Sequence, residues 1–150
     1  MNSIAFRSVG LLALLICGFF VVGCSTFDHD WDAAAGVRPV SQSDISGRWQ
    51  GTWSSNANSH SGDLRCLITR TDDKTFHARY AATYASILHF NYEMDLTAER
   101  EGEFMRFAGQ ADLGAMAGGI YHYEGHANAT DFFANYKSDG DYGRFVMKRP

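Results

Sequence analysis

Hydrophobic and polar residues alternate along most of the chain after Ser46, and this period of two predicts β-strands. In SGRWQGTWS, residues 46–54, Trp49 and Trp53 occupy one face and polar residues the other. Such a strand turns one face to a core and the other to water. The same pattern predicts seven further strands, which cover Leu64–Ile68, Phe76–Tyr84, Phe90–Leu96, Met105–Leu113, Ile120–Ala127, Phe132–Lys137 and Tyr142–Lys148.

The connections between these segments are short and rich in turn-forming residues. They include TDDK at 71–74, REGE at 100–103, Thr130 with Asp131, and SDGD at 138–141. Short turns between consecutive strands predict a meander, which removes its unpaired edges by closing on itself. A two-sheet sandwich needs longer crossover connections, and a transmembrane barrel would turn its polar face inward. We therefore predict an all-β domain over residues 46–150, an eight-stranded antiparallel up-and-down barrel.

The N-terminal 23 residues have the layout of a secretory signal peptide. Arg7 precedes an apolar run from Val9 to Val22, which is shorter than the roughly 20 residues needed to cross a bilayer. The VVGC that ends at Cys24 resembles the lipobox of bacterial lipoproteins. That resemblance implies cleavage before Cys24 and acylation of its thiol and new amino terminus, for example with palmitate. Several acyl chains give stable membrane anchoring. Because Ser25 follows, the resemblance implies the periplasmic face of the outer membrane in a diderm cell.

Residues 24–45 join the predicted anchor to the predicted barrel. The segment is polar, has no sustained period and contains Pro39, so we predict a flexible tether. An exposed, disordered linker is the favoured interpretation. The alternatives for Trp31 are packing on the domain or lying among lipid headgroups, where indole rings are common.

Cysteine content and charge restrict the chemistry. Cys17 lies in the predicted signal peptide and Cys24 carries the predicted lipid, which leaves Cys66 without an intramolecular disulfide partner. Cys66 lies on an alternating face and is expected to be a small buried hydrophobic residue. The net charge is −4, and it becomes −5 once Arg7, the only charged residue before Cys24, is removed. Without a cluster of Lys or Arg, the sequence argues against nucleic acid as a partner.

The GRW at Gly47–Trp49 resembles the Gly-x-Trp signature that opens the first strand of lipocalins and their calycin relatives. The resemblance implies that Trp49 closes one end of the barrel beneath an arginine from near the last strand, either Arg144 or Arg149. Avidin-like barrels share the signature, and the Thr-Asp-Tyr motif of lipocalins is absent. The resemblance is therefore to calycin-like barrels in general.

The predicted interior is rich in large rings. An eight-stranded barrel is either filled by side chains or holds one small ligand. The rings favour filling, whereas small residues at Ala78, Ala82, Gly109, Ala111, Gly125 and Ala134 predict a hollow, and inward tyrosine hydroxyls need partners. If a ligand binds, we predict contacts from the interior and mouth of the barrel, namely Trp49, Trp53, His60, Tyr80, Tyr84, Tyr92, Phe107, Tyr121, Tyr123 and Tyr136.

Three other segments are candidate sites. GAMAGG, residues 114–119, lacks the Gly-Lys-Ser/Thr of a phosphate-binding loop and is a lid, a contact patch or a tight turn. His122, Glu124 and His126 share a strand face, a spacing that zinc sites use, but alternation places this face outside. The loop 54–63 contains Ser, His and Asp and is first of all a mobile loop; if it overhangs the barrel mouth, His60 becomes a candidate ligand contact.

These patterns lead to three functional hypotheses. The first is a lipid-anchored, exported barrel that binds a small apolar or amphipathic molecule in the cell envelope. The second is a structural or protein-interaction lipoprotein with a filled barrel. The third, a minority hypothesis, is a metal-binding protein or enzyme that uses His122, Glu124 and His126. We predict no enzymatic activity, no cofactor and no resident metal.

Overall fold

The computed structural model describes residues 22–150, with side chains from Thr26 onward. A helix, α1 (Val22–Ala33), precedes eight strands. The strands are β1 (Gly47–Ser55), β2 (Ser61–Arg70), β3 (Thr75–Tyr84), β4 (Leu88–Glu101), β5 (Phe104–Asp112), β6 (Ile120–Ala127), β7 (Asp131–Lys137) and β8 (Tyr142–Lys148). Most of the predicted signal peptide and the side chain of Cys24 lie outside the described residues, so cleavage and lipidation stay predictions. No helix in the described range has the length and apolar character to cross a bilayer.

The eight strands form a closed antiparallel up-and-down barrel, which confirms the predicted fold class. Each strand pairs with the next along the chain, and β1 also pairs with β8 through registers such as Gly51↔Met147. Closure leaves no strand at a sheet edge. Gly51 marks the closest approach in this seam, because a Cβ there would lie 2.0 Å from the carbonyl oxygen of Val146.

Burial alternates along the strands as the sequence pattern predicts. In β8 the buried residues Gly143, Phe145 and Met147 alternate with exposed ones. Trp49, Phe76 and Leu96 are fully enclosed in the same core. All the strands and this core lie within residues 45–150.

The two ends of the barrel differ. We call the end that carries the loops 56–60, 85–87, 113–119 and 138–141 the open end. The closed end carries the turns 71–74, 102–103 and 128–130, together with the segment 37–46 that leads into β1. At the closed end the indole Nε1 of Trp49 donates to the carbonyl oxygen of Ile45 at 2.9 Å, and its ring packs on Phe132. Ile45 is itself fully buried in the core, so the segment before β1 covers this end of the barrel.

Most of helix α1, which begins at Val22, falls in the segment predicted to be a flexible tether, and the exposed-linker interpretation is wrong for the first part of that segment. Phe27 and Trp31 are four residues apart, so they share one helix face, and both are buried against Leu67 and Ala81 on the outside of β2 and β3. Two apolar residues in an acidic stretch make a weak sequence pattern. The tertiary contact with the barrel wall is what stabilises the helix.

Charged groups surround this helix contact. The Arg65 guanidinium lies 5.2 Å from the ring centre of Phe27 and 5.4 Å from that of Trp31, and it donates to Asp28 at 2.8 Å. Arg79 donates to Asp30 at 2.6 Å. This ion pair holds the pKa of Asp30 below its ordinary value, chiefly through the hydrogen bond from Arg79. The helix is therefore docked through an apolar stripe with an ion pair on each side.

Candidate functional site

The open half of the barrel is hollow. A cavity of about 830 Å³ opens at this end, within the size range of small-molecule sites. Its wall combines rings with a few polar groups, and it consists of Trp53, Asn58, His60, Ala82, Tyr84, His89, Phe90, Asn91, Tyr92, Asp112, Leu113, Met116, Ala117, Tyr121, Tyr123, Tyr136, Asp141 and Phe145. The sequence left open whether side chains fill the interior or leave a hollow. In the structure the closed half of the barrel is filled and the open half is hollow.

The hollow arises where two strands separate. The β3–β4 ladder continues to Tyr84↔Leu88 at the open end, whereas the β4–β5 ladder runs only from Glu101↔Phe104 to Leu96↔Gly109. Beyond Gly109, β5 follows β6 as far as Asp112↔Ile120. The wall therefore widens between β4 and β5, and the cavity extends there. The half-exposed ring of Phe90 stands at this margin, at the mouth of the predicted interior.

Small residues contribute less to the hollow than the sequence suggested. Ala82 lines the cavity, but Ala78 and Ala134 are buried in the packed half. Gly125 makes room for the Phe107 ring, because a Cβ there would lie 2.9 Å from its Cζ. Neighbouring rings thus occupy much of the space that the small residues leave.

The inner wall of the cavity is a set of packed aromatic rings. Tyr92 stacks on Tyr80 with ring centres 5.1 Å apart, and Tyr80 in turn lies 5.7 Å from Phe145. Tyr123 and Tyr136 each contact Phe145, at 5.6 and 5.3 Å. Tyr80 lies behind this layer and is buried. Since each ring is supported by others, the wall is expected to be rigid.

The phenol groups of this layer are held neutral. Burial raises the pKa values of Tyr80, Tyr92, Tyr123 and Tyr136 above their ordinary range. The phenols of Tyr92 and Tyr123 are close enough to influence each other's pKa, as are the Tyr80 phenol and the thiol of Cys66. The Tyr136 hydroxyl, although buried, has no well-formed hydrogen bond among the described residues; Asp141 is nevertheless close enough to raise its pKa further. An unpartnered hydroxyl at a cavity is suited to a polar ligand group.

Polar groups lie at the rim. The Ser55 hydroxyl donates to Oδ1 of Asp141 at 2.5 Å, and the amide of Gly114 donates to Oδ1 of Asp112 at 2.9 Å. The imidazole of His60 packs on the ring of Tyr84 with centres 4.7 Å apart. His60 thus lies at the mouth of the cavity, which is the position in which the sequence made it a candidate ligand contact.

The cavity brings together seven of the ten predicted ligand contacts, namely Trp53, His60, Tyr84, Tyr92, Tyr121, Tyr123 and Tyr136. Trp49, Tyr80 and Phe107 do not line it. They are buried in the packed part of the interior, where Phe107 stacks on Phe132 at 4.7 Å. Alternation identified all three as inward-facing, but it carries no information on depth along the barrel. Whether the seven bind a ligand stays a prediction.

Several lining residues were not among the predicted contacts. The main ones are Asn58, His89, Asn91, Asp112, Met116 and Asp141. They lie in loops or near strand ends, where alternation does not distinguish inside from outside. The one sequence feature that could have identified them as lining residues is their position in or beside the loops at one end of the meander. In the GAMAGG loop, Ala115–Ala117 form a 3-10 turn, and Met116 is exposed at the cavity margin.

The remaining candidates lie elsewhere. His122, Glu124 and His126 are exposed on the outer face of β6, as predicted. Within residues 22–150 no group of three or more His, Cys, Asp or Glu side chains is arranged to hold a metal ion. Cys66 is fully buried, as predicted, and burial raises the pKa of its thiol, so it is unreactive as a nucleophile.

Comparisons of the chain with protein-family models, curated proteins and solved structures found no significant match.

Proposed function

We propose that this chain is a membrane-anchored, exported lipoprotein whose barrel binds a small apolar or amphipathic molecule in the cell envelope. The observation that carries the proposal is the open cavity of about 830 Å³, walled by aromatic rings with polar groups concentrated at its rim. The alternative role as an interaction lipoprotein was based on a filled barrel, and the hollow half argues against that premise.

The geometry of the cavity supports an amphipathic ligand. An apolar body would displace water from the rings around Tyr92 and Phe145, which supplies most of the binding free energy. A polar head would lie near Asp112 and Asp141 at the rim. The ring of Tyr136 packs on Phe145 and its hydroxyl lies near Asp141, so this residue would help to orient the head.

Ligand binding is tested by native mass spectrometry of residues 25–150 purified from the host. We expect additional mass from a co-purified molecule. Ala82→Trp should abolish it by filling the cavity, whereas Ala108→Trp, on the exposed outer face, should not. A clean apo mass together with no binding to a panel of lipids and other amphiphiles would refute the carrier role.

The membrane anchor is supported by the VVGC motif that ends at Cys24. Metabolic labelling with a fatty-acid analogue should mark the full-length protein and be lost in Cys24→Ala. Cys17→Ala, inside the predicted signal peptide, is the matched control and should keep the label. Label that persists in Cys24→Ala would refute lipidation at this position, without bearing on the cavity.

A further inference from the structure

We propose that the cavity selects amphiphiles with a cationic ammonium head over those with an anionic head, and that Asp141 supplies the counter-charge. The inference rests on the proposed function, since it names the class of ligand that the same cavity takes.

The permanent charges around the cavity have one sign. Of the residues that line it, Asp112 and Asp141 carry carboxylates, none is a lysine or an arginine, and His60 and His89 contribute imidazoles. An anionic head would enter without a lysine or arginine partner and close to two negative charges. Asp112 is exposed at the rim and screened by water, so the repulsion comes mainly from the partly buried Asp141. A cationic head gains from the same arrangement.

Asp141 is held in position by its own turn. Its carboxylate accepts from the Ser55 hydroxyl at 2.5 Å, and its backbone amide donates to the Ser138 hydroxyl at 3.1 Å. The amide of Ser138 donates back to the carbonyl oxygen of Asp141 at 2.7 Å. An ionised carboxylate can accept about four hydrogen bonds, so the bond from Ser55 leaves capacity for an ammonium group.

The Tyr136 hydroxyl, which lies beside the Asp141 carboxylate and the Ser55 hydroxyl, is a second polar group at this corner of the cavity. Tyr136 is only 5% exposed, and its oxygen has no well-formed hydrogen bond among the described residues. An ammonium N–H can donate to this oxygen and to the nearby carboxylate of Asp141 together. A carboxylate head could accept a hydrogen bond from the Tyr136 hydroxyl, but the nearby carboxylate of Asp141 would repel it.

The surrounding rings favour the same charge. The ring centre of Tyr136 lies 5.9 Å from that of Tyr121 and 5.3 Å from that of Phe145, so three rings pack together in this part of the wall. Ring faces attract cations within about 6 Å. Carboxylate, phenol oxygen and ring faces thus form one cation-binding corner of the cavity.

The test compares three probes that share a decyl chain and differ only in the head: decylammonium, decanol and decanoate. Their affinities for residues 25–150 are measured near neutral pH by titration calorimetry, below the concentrations at which the probes form micelles. We expect the Kd of decylammonium to be lower than that of decanoate by a factor of about ten or more. Asp141→Asn should reduce that preference to about threefold or less, with decanol as the uncharged reference for each variant. Asp139→Asn, in the same turn but outside the cavity wall, is the charge-matched control and should keep the preference.

Tyr136→Phe provides a second variant that keeps the ring and both carboxylates. It should weaken decylammonium several-fold more than decanol. Decanoate that binds as tightly as decylammonium, or a preference unaffected by Asp141→Asn, would overturn the inference while leaving the proposed carrier role intact. Failure of all three probes to bind would instead count against both.

Discussion

The guanidinium of Arg149 lies over the indole of Trp49, with Cζ 4.2 Å from the ring centre. Arg149 also donates to the carbonyl oxygens of Ala129 at 2.9 Å, Asp44 at 2.7 Å and Ser46. One side chain therefore joins the β6–β7 turn, the segment before β1 and the C-terminus. The Gly-x-Trp resemblance implied Arg144 or Arg149 in this place; Arg144 points outward from β8 and is exposed.

Replacing Arg149 should therefore loosen the closed end of the barrel. We expect Arg149→Met to lower the free energy of unfolding by about 2–4 kcal/mol, because three carbonyl oxygens lose a charged donor and Trp49 loses its cation. Urea unfolding measures the change. Arg144→Met should stay within about 0.5 kcal/mol of the parent, and equal losses in the two variants would contradict the assignment.

Gly51 should tolerate no side chain. Its Cβ would meet the carbonyl oxygen of Val146 at 2.0 Å and Cα of Met147 at 2.7 Å, and these are backbone atoms of the pairing strand that cannot rotate away. Gly51→Ala is expected to cost about 1–3 kcal/mol or more of stability by forcing β1 and β8 apart. Thermal unfolding checks this against Gly140→Ala, where nothing lies within 4 Å of the added atom.

Trp31 should control the docking of α1 without controlling the barrel. Its removal exposes Phe27 and Leu67 and is expected to weaken docking by about 2–3 kcal/mol. In Trp31→Ala, amide hydrogen exchange should therefore accelerate over residues 26–33 while the strands stay protected. His29→Ala, whose side chain is 83% exposed, should leave both regions protected. Loss of protection throughout the barrel would mean that the helix is integral to the core.

The buried tyrosines should make the protein sensitive to alkali. An unfolded tyrosine ionises near pH 10, but burial raises the folded pKa values of Tyr80, Tyr92, Tyr123 and Tyr136. The unfolded state therefore releases protons first, and stability falls as the pH rises above about 10, by up to about 1.4 kcal/mol per pH unit for each group.

Urea unfolding at several pH values between about 9 and 11 checks this, with tyrosinate absorbance in the near ultraviolet recorded in parallel. Tyr80→Phe removes one buried phenol and should make the decline shallower. Stability that stays constant across this range would show that the four phenols titrate freely in the folded protein.

The period-two pattern and the short turns were sufficient to predict the strands and the closed barrel. Both are local properties of the sequence that act within each hairpin. The period-two pattern also identified the inward tyrosines around Tyr92 and Tyr123. It could not separate the packed ring of Phe107 from the cavity ring of Tyr121, since both face inward and differ only in depth. Nor could it find Asp141, because a turn residue has no periodic neighbour to define its direction.

By itself, the order of apolar and polar residues determined the eight strands, the meander and the inward placement of Trp49. Tertiary structure alone decided that Arg149 rather than Arg144 covers that ring, that Phe27 and Trp31 dock a helix on β2 and β3, and that the hollow lies at the open end. These outcomes depend on the stagger of the strands around the barrel. They also depend on the point at which the pairing of β4 with β5 ends, at Leu96↔Gly109. The stagger is set by all eight strands closing together, so no single segment of the sequence encodes it.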